Sequence, residues 1–129
     1  MPQYPSQSTN TFQPDNLVAG VTQLVSETGT LIAGQNLPRG ALVGKITASG
    51  KLTLSLAASS DGSQVPYGVL YDAYDATAGD TICGVYVKGE FNPNAMTFGT
   101  GQTAAGVRVA LRDAGIYLKP VVTTTGAYV

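Results

Sequence analysis

The sequence predicts a mainly β, α+β protein in which one helix joins a single small β domain. Three observations carry this expectation. Sixteen of the 129 residues are glycine, only 12% of the chain is charged, and Thr, Val, Tyr and Leu recur in short runs. Strands joined by tight turns have this texture. A chain of this length buries one core and is too short for two ordinary ones.

Residues 1–16 hold Pro2, Pro5 and Pro14 and several amide side chains, with Tyr4 and Phe12 as their aromatic groups. Such a segment adds little to a core and is expected to be a flexible N-terminal arm. From Leu17 the texture changes. Val21, Leu24 and Val25 lead into Gly29, and residues 30–33 form another extended run closed by Gly34, so two short strands are expected there. Leu37-Pro38-Arg39-Gly40 places proline second and glycine fourth in a type I turn, with a new strand from Ala41.

Residues 41–56 read as a β-hairpin. Leu42, Gly44, Ile46 and Ala48 alternate with Val43, Lys45 and Thr47, and Leu52, Leu54 and Leu56 alternate with Lys51, Thr53 and Ser55. A two-residue Ser49-Gly50 loop pairs Ile46 with Thr53 and mixes the faces. A three-residue Ala48-Ser49-Gly50 loop pairs Ile46 with Leu52 and Leu42 with Leu56, and this register is expected. Gly50 then takes the left-handed position of a glycine bulge.

Residues 57–63 form a small-residue loop around Asp61-Gly62, followed by an extended run over 64–71 and a polar connection over 72–80, both connections being expected on the surface. Over residues 81–88, Ile82, Gly84 and Tyr86 occupy one face and Cys83, Val85 and Val87 the other. This predicts a central strand covered on both sides. Beyond Phe91 and Pro93, Val107, Ala110, Leu111 and Ala114 recur at i, i+3, i+4 and i+7, predicting one helix over about 103–114. Thr103 is its expected N-cap and Gly115 its left-handed end, while Gly106 inside it costs about 1 kcal/mol relative to alanine. Ile116-Tyr117-Leu118 returns to the sheet. The expected plan is an arm over 1–16, one domain over 17–119 and an uncharged tail over 120–129. No repeat of 20 to 50 residues is present, which excludes a solenoid or propeller.

The net charge of -1 supplies no basic field for phosphates, so nucleic acid is not an expected partner. No run of about 18 apolar residues exists and residues 1–10 lack a signal-peptide pattern, so no membrane partner and no secretion are expected. The chain has no histidine, which removes the usual general base and metal ligand along with Ser-His-Asp and Cys-His catalysis. Asp72, Asp75 and Asp80 lack the D-x-D-x-D-G order of a calcium loop and read as turn residues, as does Asp61. Gly99-Thr100-Gly101 precedes the helix but lacks the Lys-Ser/Thr of a phosphate loop. Cys83, the single cysteine, reads as a small buried hydrophobe, and Arg108 and Arg112 as an exposed helix face. Seven tyrosines and no tryptophan are present, and most of the tyrosines are expected at core edges. No catalytic residue, cofactor or metal is therefore expected, and no enzyme.

The stretch Leu37-Pro38-Arg39-Gly40-Ala41-Leu42-Val43-Gly44-Lys45-Ile46-Thr47-Ala48-Ser49-Gly50-Lys51 resembles the opening of the head decoration protein D family of lambda-like phages. The similarity continues through Asp61-Gly62-Ser63-Gln64, Gly68-Val69-Leu70, Asp75-Ala76, Gly79-Asp80, Val85-Tyr86-Val87-Lys88-Gly89-Glu90-Phe91-Asn92 and Thr97-Phe98-Gly99, to Gly115-Ile116-Tyr117-Leu118. It covers roughly residues 30–119 and rests on the order and spacing of these segments together.

The resemblance implies a β-clip-like subunit that forms homotrimers at three-fold sites on the outer surface of an expanded phage head. There it would cement neighbouring major capsid subunits, after synthesis in the host cytoplasm. It also implies an N-terminal arm that orders on the capsid by adding a strand to the major capsid protein, with Thr9, Phe12, Leu17 and Val18 as candidate contacts. In solution the expectation is a monomer or weak trimer. The rival from another class is a trimeric, β-rich receptor-binding or adhesin module of a virion. That rival calls for an exposed aromatic recognition cluster, and the absence of tryptophan weakly disfavours carbohydrate stacking.

Overall fold

The computed structural model describes residues 16–119. The tail expected over 120–129, and all of the expected arm except Asn16, lie outside the described residues. Strands β1 (Val25–Leu31), β4 (Leu52–Leu54), β3 (Leu42–Lys45), β5 (Pro66–Leu70) and β7 (Thr81–Phe91) pair in that order, and β7 pairs back onto β1. The result is a small closed five-stranded barrel. Closure runs antiparallel from Ser26 opposite Tyr86 to Leu31 opposite Thr81, with a bulge at Val25/Ser26. Outside the ring, β8 (Ile116–Leu118) lies parallel to the end of β7, and β2 (Asn36–Leu37) with β6 (Tyr74–Asp75) forms a separate ribbon. The mainly β class with one helix agrees with the sequence.

Two apolar clusters hold this arrangement. Leu31, Val43, Leu52, Leu70, Cys83 and Val85 come from the barrel strands and pack together with Leu37, Ala41 and Ala76. On the other side of the same strands, Leu42, Val69, Tyr86 and Phe91 meet Leu17, Met96, Val107, Leu111, Ile116 and Leu118. The helix α1 (Ala104–Ala114) thereby covers one flank. Its ends are those expected: the Thr103 hydroxyl accepts from the Gly106 amide at 3.0 Å, and Gly115 turns left-handed at φ 98°. Val107 and Leu111 are buried, but Ala110 and Ala114 are exposed, because the helix rests on a single i, i+4 row rather than a broad stripe.

Several local expectations change. Residues 25–31 form one strand, not two; Gly29 lies inside it because a Cβ there would sit 2.8 Å from Leu52 Cδ1, so the glycine marks a close approach and not a turn. The turn near residue 40 starts at Pro38, since the Ala41 amide donates to the Pro38 carbonyl at 3.2 Å. Gly40 is then third, at φ 91°, the position where a type II turn demands a positive φ. Ala41 makes an isolated bridge to Thr97 and the strand begins at Leu42.

The hairpin register also differs from the expected one. Val43 faces Leu54 and Lys45 faces Leu52; the Ile46 amide donates to the Lys51 carbonyl at 2.8 Å, leaving a four-residue loop over 47–50. The alternation rule assumed one wet face, whereas β3 is buried on both: Leu42 in the helix-side cluster, Val43 in the barrel cluster. Leu52 and Leu54 therefore line up with Val43, and Leu56, expected opposite Leu42, is exposed. Gly50 is left-handed as expected, at φ 74°.

The two connections are less superficial than expected. Ser63 and Ala76 are fully buried. The Ser55 hydroxyl donates to the Ser63 carbonyl at 2.7 Å, and a Cβ on Gly44 would collide with that same carbonyl. In β7, Cys83, Val85 and Tyr86 are buried, whereas Ile82 is 73% exposed, because the helix-side cluster reaches β7 only from Tyr86 onward.

Phe91→Ala should lower the unfolding free energy by about 3–5 kcal/mol, because a fully buried ring is lost, and Ile82→Ala should change it by under about 0.5 kcal/mol. Urea unfolding of the two variants checks this ranking.

Candidate functional site

The last residues of β7 organise both described ends of the chain. In an extended strand, successive backbone groups point to opposite edges. On one edge, the Asn92 amide donates to the Leu17 carbonyl at 2.7 Å and the Ala19 amide donates to the Glu90 carbonyl at 2.9 Å, which makes the antiparallel bridge of Val18 with Phe91. On the other edge, the Lys119 amide donates to the Phe91 carbonyl at 2.8 Å, continuing the parallel pairing of β8. Asn16 and Lys119 therefore flank the Asn92 end of β7, and the chain enters and leaves the domain at that end.

One carboxylate links the two. Glu90 Oε2 accepts from the Thr22 amide at 2.8 Å and the Thr22 hydroxyl at 2.5 Å, while Oε1 meets Lys119 Nζ at 2.9 Å. The carboxylate also lies over Gly20, where any side chain would strike it. The Thr22 hydroxyl, then Lys119, then the Thr22 amide pull the Glu90 pKa from 4.5 to about 2, against a smaller opposing effect of burial. Around this junction Val21, Leu24, Val25 and Tyr117 are exposed. The sequence reading missed Glu90, Thr22 and Lys119; the available signal was the one acidic side chain of β7, near its end.

Of the four candidate contacts, Thr9 and Phe12 lie outside the described residues. Leu17 is 2% exposed, inside the domain's own core, and Val18 packs half-buried against the same cluster. The aspartates serve local structure. Asp61 accepts from the Ser63 amide at 3.0 Å, Asp75 from the Thr77 amide at 2.9 Å and Asp72 from the Ala73 amide at 2.8 Å. Asp80 accepts from the Ala33 amide at 2.8 Å and pairs with Lys51 at 2.6 Å. The Ser63 hydroxyl and then its amide hold Asp61 below the usual carboxylate range, the Thr77 hydroxyl and then its amide do the same for Asp75, and Lys51 and then the Ala33 amide for Asp80. No group of three potential metal ligands occurs among the described residues.

Cys83 is buried, and burial raises its pKa. Arg108 donates to the Leu118 carbonyl at 2.7 Å and so ties α1 to β8, whereas Arg112 is exposed. Tyr86 is the buried centre of an aromatic row, 5.0 Å from Tyr71 and 5.2 Å from Phe91, with Arg39 5.8 Å above its ring. The Gly99 to Gly101 segment is a turn packed on Ser55 and Ala57, closed by the Gln102 amide donating to the Gly99 carbonyl at 2.9 Å. Among the described residues no helix is long and apolar enough to cross a membrane.

Comparison with protein families finds a match to the model of "Bacteriophage lambda head decoration protein D" over residues 6–126, which extends past both ends of the described domain. No curated protein sequence matches the chain.

The Glu90 junction makes stability depend on acid. Its folded pKa lies below the ordinary value, so its contribution is complete above about pH 4.5 and is lost as the pH falls toward about 2. Asp61, Asp75 and Asp80 act in the same direction, so the informative quantity is the difference between wild type and Glu90→Gln. Urea midpoints of the two proteins should differ most near neutrality and converge between about pH 4.5 and 2; a constant gap would contradict the assignment.

Proposed function

The chain belongs to the bacteriophage lambda head decoration protein D family, and from that premise we propose that it binds as a homotrimer at three-fold sites on the outer surface of the expanded head, cementing neighbouring major capsid subunits. The family is one of structural phage-head proteins, and its match over residues 6–126 is the observation that carries the reading.

The proposed mechanism is multivalency. Three arms on one rigid trimer engage neighbouring capsid subunits, so each later contact forms at a high effective concentration. Each arm adds a strand to an edge of the major capsid protein, where main-chain hydrogen bonds give affinity and alternate side chains give register. In this reading Thr9 and Phe12 make the contacts. Leu17 and Val18 serve as the root, their side chains engaged with the domain core and their backbone paired with β7. Because the arm leaves at the Asn92 end of β7, that end of the barrel faces the capsid. The protein is made in the host cytoplasm and joins the head there, and neither nucleic acid nor a membrane takes part.

Sedimentation with expanded, undecorated heads tests this. The full chain should bind saturably, and a chain lacking residues 1–16 should bind at least tenfold more weakly, as loss of avidity requires. Equal binding by both would remove the arm from the mechanism, and no binding by either would remove decoration itself.

A further inference from the structure

We propose that Val21, Leu24, Val25 and Tyr117 form an apolar patch through which the domain itself contacts the major capsid protein, beside the contact made by its arm. This rests on the arm-mediated attachment proposed above.

The patch arises from a mismatch in pairing. From Val18 to Val25 the chain advances seven residues while its partner β7 advances three, from Phe91 to Lys88. The surplus leaves the sheet as an outward bend. Glu90 fixes the shape of that bend: its carboxylate lies over Gly20 with no room for a Cβ, and Thr22 donates to Oε2 through both its amide and its hydroxyl. Val21, between these two gripped residues, is left fully exposed.

The other three residues lie around the same stretch of β7. Tyr117 stands opposite Glu90 in the pairing with β8, and Val25 stands opposite Lys88. Leu24 lies over Gly89, where a Cβ would sit 2.5 Å from Leu24 Cδ2. All three remain exposed. A single exposed valine is ordinary, but four large apolar side chains gathered around three residues of one strand make a contiguous surface, and such surfaces mark binding sites. Gln23, Lys88 and Lys119 are exposed beside them and supply a polar edge, the arrangement of an apolar centre with a hydrated rim.

The position of the arm selects the occupant. Val18 and Val25 pair with points on β7 only about 10 Å apart, and Phe12 lies at most about 18 Å of extended chain from Leu17. Even a small folded domain is about 30 Å across, so the capsid subunit that takes Phe12 also covers the patch. Because the bend is already held by Glu90, docking against it orders no further backbone there.

The test reads affinity for expanded heads in full-length variants. Val21→Ser removes the apolar tip and leaves Thr22 and Glu90 in place, whereas Val21→Leu keeps the tip apolar. Val21→Ser should leave the urea midpoint unchanged, since the side chain is fully exposed, yet weaken head binding about tenfold; Val21→Leu should bind within about threefold of wild type. Patch and arm are separate contacts, so the losses from Val21→Ser and Phe12→Ala should multiply in the double variant. A double variant no weaker than Phe12→Ala alone would show that Val21 acts only through the arm and would overturn the proposal. Val21→Ser binding like wild type while Phe12→Ala is weakened would also overturn it and leave the arm reading intact. Phe12→Ala binding like wild type while Val21→Ser is weakened would instead remove the arm and keep the patch as the capsid contact. In sedimentation velocity without heads, Val21→Ser should self-associate as wild type does; a loss of association there would assign the patch to a second copy of the chain and contradict the proposal.

Discussion

Among the described residues the backbone of β7 has four hydrogen-bonding neighbours: β1, β5, β8 and the segment around Val18. A strand buried among packed elements must satisfy its amides and carbonyls, and a small sheet left open exposes edges that invite unwanted pairing. Pairing β7 back onto β1 meets both requirements by closing the ring. It also gives the strand a second function. Its first eight residues, 81–88, complete the barrel, and its last three extend past the ring, where β8 and residues 17–19 attach on opposite edges. Remove the β1 to β7 ladder and the barrel opens, and the platform carrying both described ends loses its support.

Close backbone approaches make so small a barrel feasible. Gly29 admits Leu52, Gly44 lies against the Ser63 carbonyl, and Gly68 lies against the Tyr86 carbonyl, each at a position where a Cβ would overlap its neighbour. Many glycines thus serve as points of contact between strands, beyond those that permit turns. The helix, in contrast, is held by only two buried side chains, Val107 and Leu111, with caps at both ends and Arg108 tying it to β8. Its role is to cover the flank made by Leu42, Val69, Tyr86 and Phe91.

Legibility followed how local each determinant was. The helix and its caps were readable because Thr103, Gly115 and the Val107/Leu111 spacing act within one element. The left-handed Gly50 was readable for the same reason. The hairpin register was not, because it depends on β3 being buried on both faces, a consequence of the helix and the closed ring that alternation within residues 41–56 cannot express. Gly29 resembled a strand break because a residue 23 positions away, Leu52, supplies the reason for it. The Glu90 junction unites residues 22, 90 and 119, separations over which a single sequence offers no periodicity. The family resemblance, by contrast, was legible because many short segments kept a common order, and the match over residues 6–126 bears it out.

The central claim is that this domain caps the head with the Asn92 end of β7 toward the capsid. The most direct measurement is a cryo-electron microscopy map of expanded heads saturated with the protein. The account predicts three copies around each three-fold site, with both chain ends on the capsid side and the opposite end of the barrel outward. Density of this size elsewhere on the head, or a subunit with the Asn92 end pointing to solvent, would contradict it.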